Sequence, residues 1–176
     1  NFLEELNIEI PYIISNFDNC EKIARKFKIP FYHIPTNNNT EEYESKMLQI
    51  IKENPTDLIG LARFMKVLST KFIDAVGQKI INVHHSFLPS FIGAKPYEEA
   101  YDRGVKLIGA TAHYVTPDLD QGPIIEQETK RIKHRHDAKY LKILGREMEK
   151  EVFAFAIRKY IENKITIFKK RTIVFE

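Results

Sequence analysis

Two short runs restrict the fold of this chain more than anything else in it. Asp57-Leu58-Ile59-Gly60-Leu61-Ala62 and Ile80-Ile81-Asn82-Val83-His84 are apolar almost without interruption, where a half-solvated strand would alternate. A continuous apolar run of strand length fits a strand covered on both faces, the situation inside a sheet with helices on each side. The flanking segments agree. Ile8 to Ile14 reads as a strand closed by the turn residues Ser15-Asn16, and a helix from Asn19 to Lys28 is capped by Asp18, with Ile23, Ala24 and Phe27 on one face. Phe31 to Ile34 is a short strand. Asn37-Asn38-Asn39-Thr40 is a polar loop and cap for a helix that lines up Tyr43, Met47, Ile50 and Ile51. Ser69 caps a short helix through Val76, and Pro96 opens one that reaches Arg103 and stops at Gly104. Leu107 to Val115 and Pro123 to Glu128 are strands. A long amphipathic helix spans Ala138 to Ile161, with Leu141, Leu144, Met148, Val152 and Phe155 on one side, before two strand-like pieces, Ile165 to Phe168 and Thr172 to Phe175. Strands alternating with helices predict one α/β domain whose sheet is largely parallel in its first half.

Composition removes several alternatives. With 176 residues the chain can bury a sizeable core, and its 43% hydrophobic and 29% charged content is ordinary for a globular domain. No run approaches the apolar length of a membrane helix, and nothing resembles a signal peptide. The single cysteine, Cys20, cannot form an internal disulfide and fits a reducing cytoplasm. With a net charge of +3, the densest basic clusters are Lys130 to Arg135 and Lys169-Lys170-Arg171, each read more simply as a solvated loop or turn than as a nucleic-acid-binding face; a basic surface also suits a polyanionic small molecule, so charge alone decides nothing.

The chemistry concentrates between Asn82 and Gly122. Asn82 and His84 are two residues apart on a strand, so both side chains leave the same face, at the carboxyl end where α/β sheets bind ligands. An amide beside an imidazole supplies an oxyanion donor next to a proton carrier. Asp120 opens the turn Asp120-Gln121-Gly122-Pro123, which can swing a carboxylate toward a neighbouring strand end, where it raises an imidazole pKa or holds a water. Asn, His and Asp are common residues, and ordinary capping and turn duties are the competing explanation. His84, His85 and His113 lack the ligand spacing of a zinc motif, so no metal is expected.

Asn82-x-His84, Ser86-x-Leu88-Pro89 and Leu119-Asp120-x-Gly122-Pro123 together resemble the signature of the folate-dependent formyltransferase and formyl-hydrolase superfamily, and Leu61 to Leu68 resembles its folate-binding segment. The resemblance implies a Rossmann-like formyltransferase fold: a mostly parallel sheet flanked by helices, with an antiparallel carboxy-terminal portion. It implies Asn82, His84 and Asp120 as the catalytic trio. For the folate it implies Phe64, Met65, Lys66, Val67 and Leu68 as the pterin-holding loop, with Ile73, Gly93, Thr111, His113, Val115, Thr116 and Leu119 around it. The run His84-His85-Ser86 through Tyr97, together with Arg103 to Tyr114 and Arg171 to Val174, is similar to formyltetrahydrofolate deformylases, whereas transformylases usually carry His-Pro-Ser. That branch implies hydrolysis of 10-formyltetrahydrofolate to tetrahydrofolate and formate in one-carbon metabolism and purine biosynthesis. It further implies no tightly bound cofactor, no nucleic-acid or membrane partner, and a homo-oligomer, dimer or tetramer. Family catalytic domains begin with a further strand and helix, and deformylases usually with an ACT-type domain, so the chain is expected to lack its amino-terminal part. The alternatives are a formyltransferase acting on an amine acceptor such as glycinamide ribonucleotide, and an inactive folate-binding remnant.

Overall fold

A computed structural model describes residues 6–36, 39–77, 79–89 and 96–176. They fall into two compact units, residues 1–57 with 74–76, and residues 58–73 with 77–176.

In the first unit, β1 (Ile13–Ser15) pairs in parallel with β2 (Phe31–His33), and α1 (Glu21–Lys26) connects them. The strand expected from Ile8 onward is thus only three residues long. Pro11 explains this, because it has no N–H to give a ladder. The helix expected from Asn19 is also shorter, since Asp18–Cys20 forms a 3-10 turn in which the Asp18 side chain caps nothing. Of its expected apolar face only Ala24 is buried, while Ile23 and Phe27 are exposed. α2 (Thr40–Glu53) starts as anticipated, with the Asn39 side chain accepting a hydrogen bond from the Glu42 N–H at 3.2 Å. Tyr43 and Met47 are buried on it, along with Glu44, a carboxylate the apolar period does not announce.

The second unit holds a four-stranded sheet in the order β3 (Ile59–Ala62), β4 (Ile80–His84), β5 (Leu107–Tyr114), β6 (Ile124–Arg131). β3 and β4 are parallel, and the β4–β5 and β5–β6 pairs are antiparallel. Parallel pairs in the first half and antiparallel pairs toward the carboxyl end are the predicted arrangement. The double coverage expected of both apolar runs holds for β4, buried throughout except for half-buried Asn82. On β3 it does not, since only Leu61 is buried and Gly60 and Ala62 are exposed. The Ser69 hydroxyl caps α3 (Thr70–Val76) by accepting from the Phe72 N–H. α4 (Pro96–Asp102) ends before Gly104, whose φ of +62° suits a residue without a side chain.

α5 (Ala138–Ile161) has the predicted boundaries and packs across β4, β5 and β6. Its buried stripe is Leu141, Gly145, Met148, Val152 and Ala156, with Leu144 and Phe155 at its margins. The apolar pattern picks out the large members and misses the two small ones that let neighbours close in. β6 runs three residues beyond its expected end, so Lys130 and Arg131 sit on a strand that pairs with Ile108 and Leu107 and not in a loop. β7 (Ile165–Phe168) and β8 (Arg171–Val174) close the chain as an antiparallel hairpin.

Candidate active site

The antiparallel register sets Asn82 of β4 opposite His113 of β5, and His84 opposite Thr111. The Asn82 amide nitrogen lies 3.2 Å from His113 Nε2, and His113 Nδ1 lies 2.8 Å from the Tyr114 carbonyl oxygen. A carbonyl can only accept, so Nδ1 carries the proton and Nε2 of the neutral ring accepts from the amide. One amide N–H is thereby used in orienting Asn82. The other remains to meet an oxygen in the cleft.

Asp120 completes the group. Its carboxylate reaches His84 Nδ1 at 3.3 Å and His113 Nε2 at 3.6 Å, and the side chain is about 10% exposed. The Asp120 carboxyl sits below its ordinary pKa chiefly through a hydrogen bond from His113, which the ring donates from Nε2 only in its doubly protonated form; burial opposes this, and the positive charge that His84, His113 and His85 can carry reinforces it. The backbone arrives there under two local constraints. Asp120 has a φ of +54°, a left-handed conformation that Asp tolerates better than most residues. Gly122 runs so close to β5 that a Cβ on it would overlap the Tyr114 carbonyl, the same oxygen that fixes His113. Pro123 then accepts from the Tyr114 N–H at 3.0 Å.

The segment leaving β4 is pinned from β5 and β6. The Thr111 hydroxyl donates to the Ser86 carbonyl at 2.9 Å and accepts from the Leu88 N–H and from the Gln127 amide. Gln127 also donates to the Leu88 carbonyl, just ahead of the cis Leu88–Pro89 bond. With no exposed surface and its hydroxyl fully engaged, Thr111 is a clamp for this segment and not the pocket residue anticipated for it. Thr111→Val keeps the shape but takes away the acceptor of the buried Leu88 N–H, and is expected to cost about 1–3 kcal/mol of stability in urea unfolding.

A cleft opens beside the trio. Asn82, His113 and Asp120 form its polar side. Leu61 of β3 and Phe64, Lys66, Val67 and Leu68 of the segment after it line one side, and Val115, Thr116 and Leu119 line it from the loop after β5. Most of the residues proposed for folate therefore converge on one opening. His84 stands beside Asp120 without lining the cleft. Met65 is 61% exposed and points elsewhere, and Ile73 is buried on α3 outside the lining, so neither is a wall of this cleft. Gly93 lies outside the described residues. Sequence reasoning missed Gln127, for which no local signal exists, because its partners lie 16 and 39 residues away.

Of the remaining histidines, His33 and His134 are exposed, and half-buried His136 stacks against Tyr140 with ring centroids 4.3 Å apart. Among the described residues no group of three His, Cys, Asp or Glu side chains is arranged to hold a metal, and no helix is long and apolar enough to cross a membrane.

Comparisons with known proteins show the family and the fold. The family described as formyl transferase matches residues 3–157. Formyltetrahydrofolate deformylase of Bacillus subtilis is 46% identical over 171 residues, covering 97% of this chain and 57% of that protein. The crystal structure of a formyltetrahydrofolate deformylase from Pseudomonas syringae superposes with a TM-score of 0.94 at 39% identity, covering 99% of this chain and 59% of its own. A phosphoribosylglycinamide formyltransferase from Anaplasma phagocytophilum superposes at 0.89 with 30% identity, covering 99% and 86%. The chain thus spans less than two thirds of the deformylases it matches, and most of the transferase.

Proposed function

This chain belongs to the formyl transferase family, and from that premise we propose that it hydrolyses 10-formyltetrahydrofolate to tetrahydrofolate and formate. The observation that carries the reading is one carboxylate, Asp120, set between the imidazoles of His84 and His113 beside an amide with a free N–H, at the mouth of a cleft with apolar walls. Higher identity to proteins named deformylases than to a named formyltransferase favours water over an amine as the acceptor.

In the proposed reaction the folate's formyl carbon lies against Asn82. Asp120 holds the attacking water and takes up its proton as the new C–O bond forms. Electron density moves to the formyl oxygen, where the second Asn82 N–H meets it; a donor aimed at that developing charge typically contributes about 10²- to 10³-fold. His84, oriented through Nδ1 by Asp120 and set back from the cleft, passes a proton through one bridging water to the folate nitrogen as the C–N bond breaks, and formate and tetrahydrofolate leave. Phe64, Val67, Leu68 and Leu119 supply apolar contact for the pterin, with backbone groups of the 64–68 segment as its hydrogen-bonding partners.

Residues 1–176 are read as a catalytic domain, working in the cytoplasm as a homo-oligomer, with no metal and no tightly bound cofactor, and supplying formate for purine biosynthesis. The deciding experiment supplies 10-formyltetrahydrofolate with no amine present. Formate and tetrahydrofolate are expected in equal amounts; formyl transfer that begins only when glycinamide ribonucleotide is added would assign the chain to the transferases instead.

A further inference from the structure

Glu149 lies outside the trio and outside the cleft lining, yet its two carboxylate oxygens face opposite ends of the site. Oε1 accepts a 2.7 Å hydrogen bond from the Tyr97 hydroxyl of α4, and Oε2 lies 3.8 Å from Arg63 Nε. Its side chain is only 12% exposed, so this is a nearly buried carboxylate held by a phenol and a guanidinium.

Each arm leads somewhere specific. Arg63 is the first residue after β3 and has a left-handed φ of +55°, so it sets the direction in which the cleft-lining Phe64-to-Leu68 segment departs. Tyr97 is buried, and a Cβ at Gly145 would overlap its ring, so α5 accepts a helix-weakening glycine where the ring seats. The other side of Tyr97 meets His85 edge-on at 6.3 Å between centroids, and the His85 ring lies 4.9 Å from His84. Burial and the Glu149 charge push the Tyr97 pKa far up, so the phenol stays a donor.

We propose that Glu149 is a positioning residue that fixes the substrate-binding segment through Arg63 and the His85–His84 end of β4 through Tyr97, holding both halves of the site in one geometry. This rests on the hydrolytic reading above. The mechanism is rigidity: a reacting group displaced by about an ångström can cost on the order of 10²-fold in rate, whereas the largely exposed Arg63 contributes little energy of its own through the pair.

The two arms separate in kinetics. In the full chain, with 10-formyltetrahydrofolate as substrate, Tyr97→Phe is expected to lower kcat about tenfold with KM unchanged. Arg63→Gln is expected to raise KM about threefold with kcat unchanged. Glu149→Ala should do both. Glu149→Gln keeps an acceptor for Tyr97 but loses the charge facing Arg63, so it should recover kcat and retain the raised KM. Melting temperatures of the near-isosteric Phe and Gln variants establish that they are folded, and the Kd for tetrahydrofolate reports the Arg63 arm independently of turnover. Folded variants with wild-type kcat, KM and tetrahydrofolate Kd overturn the proposal while leaving hydrolysis by the parent chain standing. A parent chain that releases no formate sinks the hydrolytic reading, and the binding arm still decides this one.

Discussion

Asp120→Asn is expected to reduce formate release by about 10³-fold or more while tetrahydrofolate still binds. The substitution keeps the size and leaves the φ of +54° accessible, since Asn adopts that conformation as readily as Asp. What it removes is the charge that orients the His84 Nδ1–H and takes up the proton of the attacking water. The cleft walls are untouched, so equilibrium binding and turnover should part company. Turnover near the parent level in the Asn variant would remove Asp120 from the mechanism. The same substitution should alter the response to acid. Because the folded-state pKa of Asp120 lies below its ordinary value of 3.8, the ionised carboxylate stabilises the fold at and above that value. The contribution disappears as pH falls through the lowered value. Urea unfolding followed from neutral pH into that range should therefore show an acid-dependent loss in the parent chain that is smaller in the Asn variant.

Gly122→Ala is expected to be the most damaging single methyl group in the site. The added carbon would collide with the Tyr114 carbonyl, and backbone on both sides leaves no flexible side chain to yield. Either the loop lifts, moving Asp120 away from His84, or Tyr114 shifts, releasing His113 Nδ1 and the Pro123 pairing. Overpacking of this kind costs about 1–3 kcal/mol, and an ångström of displacement at Asp120 adds on the order of 10²-fold in rate. Urea unfolding and formate release on the same preparation measure the two losses. A variant with parent-like values in both would show that the strand and loop are not in contact.

Features that depend on nearest neighbours along the chain are legible in the sequence. Ser69 and Asn39 cap the helices that their positions predict, and Pro96 and Gly104 bracket α4 because each acts through its own backbone. The long period of Leu141, Met148 and Val152 fixes α5 at both ends. Asn82 and His84 share a face simply because a strand alternates. What escapes depends on partners remote in sequence. Thr111 looks like a pocket residue until Ser86 and Leu88 claim its hydroxyl, and Gly145 is unremarkable until the Tyr97 ring needs its space. Pro11 shortens β1 for a purely local reason, but the apolar run around it reads more strongly than its missing N–H. In the site, strand alternation and the turn at Gly122 point to the trio that the fold brings together. The role of His113 as the shared contact of Asn82 and Asp120 needs the β4–β5 register, which no local pattern carries.

The Asn82 amide faces His113 Nε2, and His113 is in turn held through Nδ1 by the Tyr114 carbonyl. The orientation of the proposed oxyanion donor is therefore set by a main-chain oxygen on the neighbouring strand, and a change that moves Tyr114 would turn Asn82 without touching it.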